Sequence, residues 1–296
     1  MTGSGNDAHR PRRSVLYMPS ANERALAKAK TLPTDAIIFD LEDSVAPDAK
    51  ATAREQACAA VTGGGYGRRE LTIRVNSMDT GWYEDDVRAA AAAGPDAIVV
   101  PKVSSAADVH RIEAALEAAG APDRTSIWAM VETPIAMLHA EEIAGAGGRL
   151  SVLVMGTNDL NKELRAQHVP GRGPLLTGLG LCLLAARATG TAILDGVYNG
   201  VLDPEGFEAE CLQGRQWGFD GKTLIHPGQV GPCNRAYSPT EAEVEEARTI
   251  VSVWEEALAE GKGVATVNGR MIENLHVAEA RRILDITEAI EALDQN

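Results

Sequence analysis

The chain has 296 residues, 45% of them hydrophobic and 24% charged, so it can bury a large core and is neither disordered nor a disulfide scaffold. Its 28 basic and 42 acidic residues give a net charge of −14, which disfavours nucleic acid and membrane surfaces as partners. Four widely spaced cysteines without a metal-binding pattern, and the lack of any apolar run long enough for a membrane span or signal peptide, predict a cytoplasmic protein.

Eight short, nearly continuous apolar runs follow one another along the chain and predict parallel β-strands. They are Val15–Met18, Ala36–Phe39, Leu71–Val75, Ala97–Val100, Ser126–Val131, Ser151–Met155, Thr191–Leu194 and Lys222–Ile225. The segments with helical spacing between them are Glu23–Lys30, Lys50–Ala60, Trp82–Ala93, Ala106–Ala119, Ile135–Ala144, Leu179–Ala188 and Pro204–Trp217. Strands buried on both faces and alternating with helices predict a (β/α)8 TIM barrel in the α/β class. A doubly wound open sheet is the alternative, although no GxGxxG follows any of these strands.

The sequence divides into three parts. Residues 1–12 predict a disordered N-terminal tail, residues 13–236 contain the barrel, and residues 237–296 predict a C-terminal helical extension. Ser238–Thr240 begins a helix that reaches Glu260, and a second helix is predicted from Val277 to Leu293. Because this extension is longer than the closing helix of a barrel, it either packs on its own barrel or crosses to a neighbouring subunit.

Polar residues follow seven of the eight predicted strands. These polar segments are Asp40–Ser44, Arg74–Asn76, Pro101–Lys102, Glu132–Pro134, Gly156–Asp159, Asp195–Gly196 and His226–Pro227. The C-terminal ends of barrel strands meet at one rim, so these residues together predict an active site there. Any single one of them could instead cap the next helix, as Asp43 or Thr133 could.

Glu132 and Asp159 are the predicted magnesium ligands. They follow neighbouring strands, and Mg²⁺ normally takes one or two protein carboxylates and completes its octahedron with water and substrate oxygens. His226 could also be a ligand, but a histidine before a proline at a strand end equally fits a structural hydrogen bond.

Arg74 is the cation predicted to act inside the site, because its planar guanidinium can hold a carboxylate or stabilise an enolate. Lys102 could serve in the same way, or it could pair with Asp40 or Glu42. The sequence does not separate these two roles of the lysine.

Eight segments in order resemble the citrate lyase β-subunit-like CoA-ester lyases of the HpcH/HpaI superfamily. They are Arg13–Pro19, Asp40–Asp48, Arg74–Asn76, Pro101–Lys102, Glu132–Pro134, Gly156–Leu160, Ile225–Pro227 and Gly269–Ile272. The resemblance runs from about residue 13 to 290 and implies a TIM barrel, Mg²⁺ dependence and reversible retro-Claisen cleavage of a 3-hydroxyacyl-CoA such as malyl-CoA or citramalyl-CoA. Coenzyme A is then part of the substrate. The resemblance also implies a homotrimer or hexamer in which the extension covers a neighbouring subunit's site.

The resemblance assigns roles to individual positions. The matching positions are Glu132 and Asp159 for the metal, Arg74 for the reacting carbonyl, and Tyr17 and Lys28 for coenzyme A. Arg24 is our own additional candidate for contact with the phosphates of coenzyme A, because it is a basic residue close to Lys28.

The chain departs from the lyase pattern at the acid/base position of the extension. Lyases of the family carry an aspartate after the Gly-Arg-Met-Ile-like segment, whereas this chain has Glu273, and a displacement of about 1 Å can reduce a rate on the order of 10²-fold. Together, Arg74, Glu273, Asp40 and Glu42 form the predicted catalytic set. The segment around Glu273 is also similar to a malyl-CoA thioesterase branch, which hydrolyses the thioester. The sequence favours the lyase, with the thioesterase and a non-catalytic or partner-dependent citrate lyase β-like subunit as alternatives.

Overall fold

Eight parallel strands close into a barrel in chain order, which confirms the predicted TIM barrel. The structure is a computed structural model that describes residues 10–295. Its barrel strands are β1 Ser14–Pro19, β2 Ala36–Asp40, β3 Glu70–Arg74, β4 Ala97–Val100, β5 Ser126–Val131, β6 Leu150–Met155, β7 Ala192–Asp195 and β8 Gly221–Leu224. Strand β8 pairs with β1 through Lys222 and Ser14, so the sheet has no free edge and the doubly wound alternative is wrong.

Ten helices accompany these strands between Arg12 and Tyr237. They are α1 Glu23–Ala29, α2 Lys50–Gly63, α3 Tyr83–Ala93, α4 Ala106–Ala118, α5 Pro134–Leu138, α6 Ala140–Ala144, α7 Thr157–Glu163, α8 Leu176–Thr189, α9 Pro204–Trp217 and α10 Val230–Tyr237. The helix predicted over residues 135–144 is interrupted at His139 and forms α5 and α6. The sequence did not predict α7 and α10, because α7 is short and polar and α10 contains Gly231 and Pro232.

The strands separate two layers of apolar packing. Alternate strand residues face the helices, as Ile37 and Ile73 do, while the intervening residues fill the barrel interior around Trp128. The guanidinium of Arg12 lies 5.5 Å from the Trp128 ring centroid and forms an ion pair with Glu70, with 2.6 Å between Nε and Oε2. The barrel unit therefore begins at Arg12, which the sequence had assigned to the tail. The rest of that predicted tail falls mainly on residues 1–9, which lie outside the described residues.

A second compact unit begins at Ser238. It contains helices α11 Glu241–Ala259 and α12 Asn274–Asp294, and between them an antiparallel hairpin of β9 Ala265–Val267 and β10 Arg270–Ile272. The sequence predicted both helices but placed only a break between them. The hairpin turns at Asn268 and Gly269, whose φ angles of 50° and 77° are those of an Asn-Gly hairpin turn. Within residues 10–295, no helix combines the length and apolarity that crossing a bilayer requires.

Candidate active site

Three buried polar side chains mark the C-terminal rim of the barrel, defined here as the residues that end the strands and begin the following loops. Asp40 ends β2 and Arg74 ends β3, and these two residues are register partners. Glu132 directly follows β5. All three side chains are at least nine-tenths buried, although they carry charges that are rarely buried without partners. Their contacts therefore define the chemistry of the rim.

Arg74 is held by three carboxylates and one aromatic ring. Its Nε and Nη2 donate to the two oxygens of Asp40 at 2.6 and 2.8 Å, in a bidentate arrangement. Its Nη1 lies 2.9 Å from Glu42 Oε2 and 3.4 Å from Asp43 Oδ2. The guanidinium also lies 4.8 Å from the ring centroid of Tyr17, a cation–π distance. Although burial lowers the pKa of Arg74, its anionic neighbours outweigh burial and raise it, so the charge is permanent.

Asp40 orders both Arg74 and the loop that follows β2. Besides binding the guanidinium, its Oδ1 accepts the Glu42 N–H at 2.9 Å and its Oδ2 accepts the Ser44 N–H at 3.0 Å. Burial raises the pKa of Asp40, but Arg74 and these hydrogen bonds outweigh burial and lower it. Because every contact favours the ionised form, this carboxylate is suited to holding Arg74 in place rather than to accepting a proton.

Lys50 also orders the loop that follows β2. The sequence did not predict this role for Lys50. This lysine is 6% exposed, and its Nζ donates to the carbonyl oxygens of Leu41 and Glu42, both at 2.7 Å. Its ammonium lies 5.2 Å from the Trp82 ring centroid. Nothing in the sequence separated Lys50 from an ordinary helix residue, since it stands at the start of a helical segment. The structure shows that it orients the loop that carries Glu42.

Glu42 is a carboxylate of the rim that Arg74 balances only in part. Its side chain is 14% exposed. Burial raises its pKa to about 7, Arg74 opposes this rise, and the neighbouring Asp43 and Asp40 add to it. A carboxylate with such a pKa exchanges protons near neutral pH, as a general base or acid requires.

Glu132 is fixed by a backbone group and by a glycine. Its Oε1 accepts the Lys102 N–H at 2.8 Å. A Cβ at Gly156, the residue after β6, would lie 2.2 Å from Glu132 Oε2, so the carboxylate occupies space that only glycine leaves free. Burial, together with the nearby charges of Glu42 and Asp159, raises the pKa of Glu132 to about 8. Glu132 and Asp159, which the sequence predicts as metal ligands, are thus near enough for the charge of one to act on the other.

The donor set at Glu132 and Asp159 fits a magnesium ion. Asp159 lies in the first turn of α7 and is partly exposed, and its charge acts on the buried Glu132. Between residues 10 and 295, no group of three or more His, Cys, Asp or Glu side chains is arranged as a metal site. A two-carboxylate site is what Mg²⁺ needs when water and substrate oxygens complete its coordination, whereas Zn²⁺ needs more protein ligands.

The residues predicted to contact coenzyme A lie in different surroundings. Arg24 and Lys28 are exposed on α1, whereas Tyr17 points into the barrel, with its hydroxyl 3.9 Å from Met130 Sδ and its ring under Arg74. Glu273 belongs to the C-terminal unit, where it precedes α12 and its backbone N–H donates to His276 Nδ1 at 3.1 Å.

Two predicted rim residues do not face the barrel axis. Asp195 ends β7 but is fully buried on the helix side, where Lys222 and Arg172 donate to it at 3.0 and 2.7 Å. His226 is exposed, and its Nδ1 accepts the Gly228 N–H at 3.1 Å, which agrees with the structural hydrogen bond that the sequence allowed. The expectation that all seven polar strand ends point to one site is therefore wrong for Asp195.

Asn76, which ends the Arg74–Asn76 motif, also turns away from the site. Its side-chain amide donates to the buried carboxylate of Asp86 on α3 at 2.6 Å, and its backbone N–H donates to the same oxygen at 3.0 Å. Arg54 on α2 donates to the other oxygen of Asp86 at 2.7 Å. This network ties the loop after β3 to two helices, and sequence reasoning missed both Asp86 and Arg54.

Comparisons with known proteins place this geometry in a family. A family model described as HpcH/HpaI aldolase/citrate lyase matches residues 13–227, and one described as C–C bond lyase of the TIM-barrel fold matches residues 181–290. Two proteins of Cereibacter sphaeroides named (3S)-malyl-CoA thioesterase are 52% and 53% identical to the chain, over 97% of its length and 98% of theirs. The citrate lyase subunit β of Escherichia coli K12 is 37% identical over 94% of each chain.

A solved structure agrees with these relatives. The Mycobacterium tuberculosis protein CitE, in complex with magnesium, acetoacetate and coenzyme A, matches with a TM-score of 0.75 and 27% identity, over 95% of this chain and 99% of that one. The first family model spans nearly all of the barrel unit, and the curated relatives extend the likeness through the C-terminal unit. The motifs therefore predicted the family correctly, and the chain belongs to the HpcH/HpaI aldolase/citrate lyase family.

Proposed function

We propose that this protein hydrolyses the thioester of malyl-CoA in the presence of Mg²⁺ and releases malate and free coenzyme A. The observation that carries the proposal is the 52% to 53% identity, along almost the whole chain, to proteins named (3S)-malyl-CoA thioesterase. The rim supports it, because the charges of both Arg74 and Asp159 act on the buried Glu132 carboxylate. The lyase that the sequence favoured would use the same substrate and the same rim.

Glu132 and Asp159 would hold the magnesium ion. The Glu132 carboxylate, whose pKa is raised by burial and by its acidic neighbours, is the kind of group that a divalent cation stabilises in its ionised form. When bound, Mg²⁺ supplies a Lewis acid for the oxygens of the substrate. The solved complex of the M. tuberculosis relative with magnesium, acetoacetate and coenzyme A supports the presence of Mg²⁺ and coenzyme A in this reaction.

Arg74 would stabilise the negative charge that develops on the thioester oxygen. Hydrolysis puts this charge on a tetrahedral intermediate, and carbon–carbon cleavage puts it on an enolate, so one guanidinium serves both reactions. Asp40 and Tyr17 hold Arg74 in position before substrate binds. Nη2 donates once, to Asp40, and carries a second N–H that is available to a substrate oxygen.

Hydrolysis also needs a group that accepts a proton from the attacking water. Glu42 meets this need within the barrel, because it lies beside Arg74 and its pKa of about 7 suits proton transfer near neutral pH. Glu273, which the resemblance places at the acid/base position, is the other proton-transfer group in this proposal.

Carbon–carbon cleavage is the second candidate function. It is favoured by the match to the C–C bond lyase family model and by the 37% identity to citrate lyase subunit β. Cleavage requires a base that takes the proton of the 3-hydroxyl group as the carbon–carbon bond breaks, and an acid that protonates the departing enolate. In this chain Glu42, beside Arg74, would be the base, and Glu273 would be the acid instead of the aspartate of the lyase pattern.

The deciding experiment is incubation of the purified protein with Mg²⁺ and racemic malyl-CoA, followed by chromatography of the products. Malate plus coenzyme A supports hydrolysis, whereas acetyl-CoA plus glyoxylate establishes the lyase. No product despite retained Mg²⁺ binding would indicate the partner-dependent subunit. Glu132→Ala should abolish metal-dependent turnover, while Glu141→Ala, at an exposed position of α6, serves as a matched control.

We further propose a homotrimer or hexamer in which Glu273 of one copy completes a neighbour's rim. The neighbours of Glu273 support an interface, because Met271 and Leu275 are apolar yet highly exposed within a single chain. The test mixes Arg74→Lys protein with Glu273→Gln protein after dissociation. Recovery of activity in the mixed oligomer is expected, and no recovery would contradict a shared site.

We also propose that residues near the start of the barrel contact coenzyme A. Arg24 and Lys28 present two positive charges on α1 for the phosphates, so charge reversal at either should raise KM for the acyl-CoA more than it lowers kcat. Tyr17, which lies at the rim against Arg74, is also proposed to contact coenzyme A.

We also propose that the protein is cytoplasmic. Its four free cysteines fit a reducing compartment, and cell fractionation would test this.

A further inference from the structure

Lys102 adopts an unfavourable backbone conformation at the rim. Its φ angle is 58°, in the left-handed region, where a side chain crowds the backbone and glycine is favoured. Among residues 10–295, only four non-glycine residues share this conformation: Lys102, Arg165, Arg172 and Asn268. A lysine in this place therefore calls for an explanation.

Backbone hydrogen bonds account for the left-handed conformation at residue 102, but they do not account for the presence of a lysine there. The Lys102 N–H donates to Glu132 Oε1 at 2.8 Å, and the Lys102 carbonyl accepts from Ser104 Oγ at 3.2 Å. The next residue, Val103, donates its N–H to the Met130 carbonyl at 3.2 Å. Glycine would make the same backbone contacts with less strain. The side chain of Lys102 must therefore have a use of its own if the strain is retained for function.

The ammonium of Lys102 is available for such a use. The side chain is exposed at the mouth of the barrel and forms no ion pair with any residue of the described chain. Its charge nevertheless acts on both Glu42 and Asp79. The other basic groups of the rim are engaged, since Arg74 binds carboxylates and Lys50 binds two carbonyl oxygens.

We propose that the Lys102 ammonium binds the free carboxylate of the malyl group, an inference that rests on the proposed function. A dicarboxylic acyl group brings a further negative charge to a rim that already carries Glu42, Glu132 and Asp159. Within residues 10–295 Lys102 forms no ion pair, and its backbone N–H donates to Glu132, which puts it beside the proposed metal ligand and hence at the acyl end of the substrate. The phosphates of coenzyme A are the other possible anions, and the experiment distinguishes them.

Four variants separate the strain from the charge. Lys102→Gly removes both and should raise Tm by about 2 to 4 °C while weakening malate binding about tenfold. Lys102→Ala keeps the Cβ, so it should weaken malate binding without raising Tm. Lys102→Arg keeps the charge and should retain most of the affinity. Arg165→Gly is the matched control, because Arg165 is also exposed and left-handed, with a φ of 54°, and it should raise Tm without changing malate binding.

Calorimetric titration with malate in the presence of Mg²⁺, and separately with coenzyme A, measures the two affinities without turnover. Weaker malate binding with unchanged coenzyme A binding in both Lys102→Gly and Lys102→Ala supports the inference. Unchanged malate affinity, a loss confined to coenzyme A, or a wild-type protein that does not bind malate would overturn it. A wild-type protein that binds malate but releases no coenzyme A from malyl-CoA refutes the proposed function and leaves the Lys102 inference standing.

Discussion

Gly156→Ala tests whether Mg²⁺ binding and turnover depend on the position of the Glu132 carboxylate. A Cβ at residue 156 would lie 2.3 Å from Glu132 Cβ and 2.2 Å from its Oε2. Carbon atoms in contact lie about 3.5 to 4.0 Å apart, so the two residues must separate by at least roughly 1 Å. Glu132 cannot relax freely, because its other oxygen accepts the Lys102 N–H and its side chain is 2% exposed.

The expected losses follow from this displacement. Overpacking a buried site typically costs about 1 to 3 kcal/mol of unfolding free energy. A displacement of about 1 Å at a positioned group can lower the rate on the order of 10²-fold. Gly156→Ala should therefore bind Mg²⁺ more weakly and release coenzyme A from malyl-CoA far more slowly, while remaining folded at room temperature.

The assay combines calorimetric Mg²⁺ titration, coenzyme A release detected with a thiol reagent, and denaturant unfolding. Gly180→Ala in α8 is the control, since a Cβ there would lie 3.8 Å from Trp217 Cζ3, an ordinary contact. This control should keep full activity and gain about 0.5 to 1 kcal/mol from the helix preference of alanine. Wild-type Mg²⁺ affinity and turnover in Gly156→Ala would refute the reasoning about Glu132.

Three further predictions concern other parts of the chain. Arg74→Lys keeps the charge but loses the bidentate contact, so kcat should fall on the order of 10² to 10³-fold with unchanged Mg²⁺ affinity, and wild-type kcat would contradict this. Glu273→Asp should increase the yield of acetyl-CoA and glyoxylate relative to malate, and an unchanged product ratio would exclude a role for side-chain length there. Asp195→Asn removes the fully buried counter-charge of Lys222 and Arg172, which then share only the Glu210 carboxylate among the described residues, and should lower the unfolding free energy at pH 7 by about 3 kcal/mol. Lys222 and Arg172 outweigh burial and lower the pKa of Asp195. The contribution of Asp195 to the unfolding free energy is therefore complete above about pH 4 and is lost as pH falls through the folded-state pKa. Urea unfolding should show the difference in stability between wild type and Asp195→Asn shrinking in acid.

The sequence located the strands because each is a short apolar run, and it located Glu132 and Arg74 because each follows such a run. It failed at Asp195 because the end of a strand does not determine which face a residue occupies. Side chains alternate along a strand, and in β7 Leu194 faces the barrel interior, so Asp195 must face the helices. Counting this alternation from the interior residue of each strand separates Arg74 from Asp195.

The supporting residues were harder to predict for a different reason. Lys50 donates to main-chain carbonyl oxygens, which every residue has, so no side chain in the sequence marks its partners. Asp86 accepts a hydrogen bond from Asn76, but it lies on α3, the helix after the loop that carries Asn76. Such contacts depend on how a helix packs on the barrel, and no spacing in the sequence encodes that packing. The same holds for the β9–β10 hairpin, whose strands have only three residues each, too few for an alternation to be recognised.

The arrangement around Arg74 indicates where the two candidate reactions diverge. Asp40 fixes the guanidinium in its plane, Tyr17 lies against its face, and Glu42 contacts Nη1, so the positive charge is in place before the substrate arrives. An oxyanion and an enolate of the same thioester both put their charge where such a group can stabilise it. Hydrolysis and carbon–carbon cleavage therefore differ in the protons that must move: hydrolysis takes a proton from water, whereas cleavage takes the proton of the 3-hydroxyl group and gives one to the enolate. On the proposed function, we expect Glu42 and Glu273 to control the product, so that changing either alters the ratio of malate to glyoxylate before it abolishes consumption of malyl-CoA.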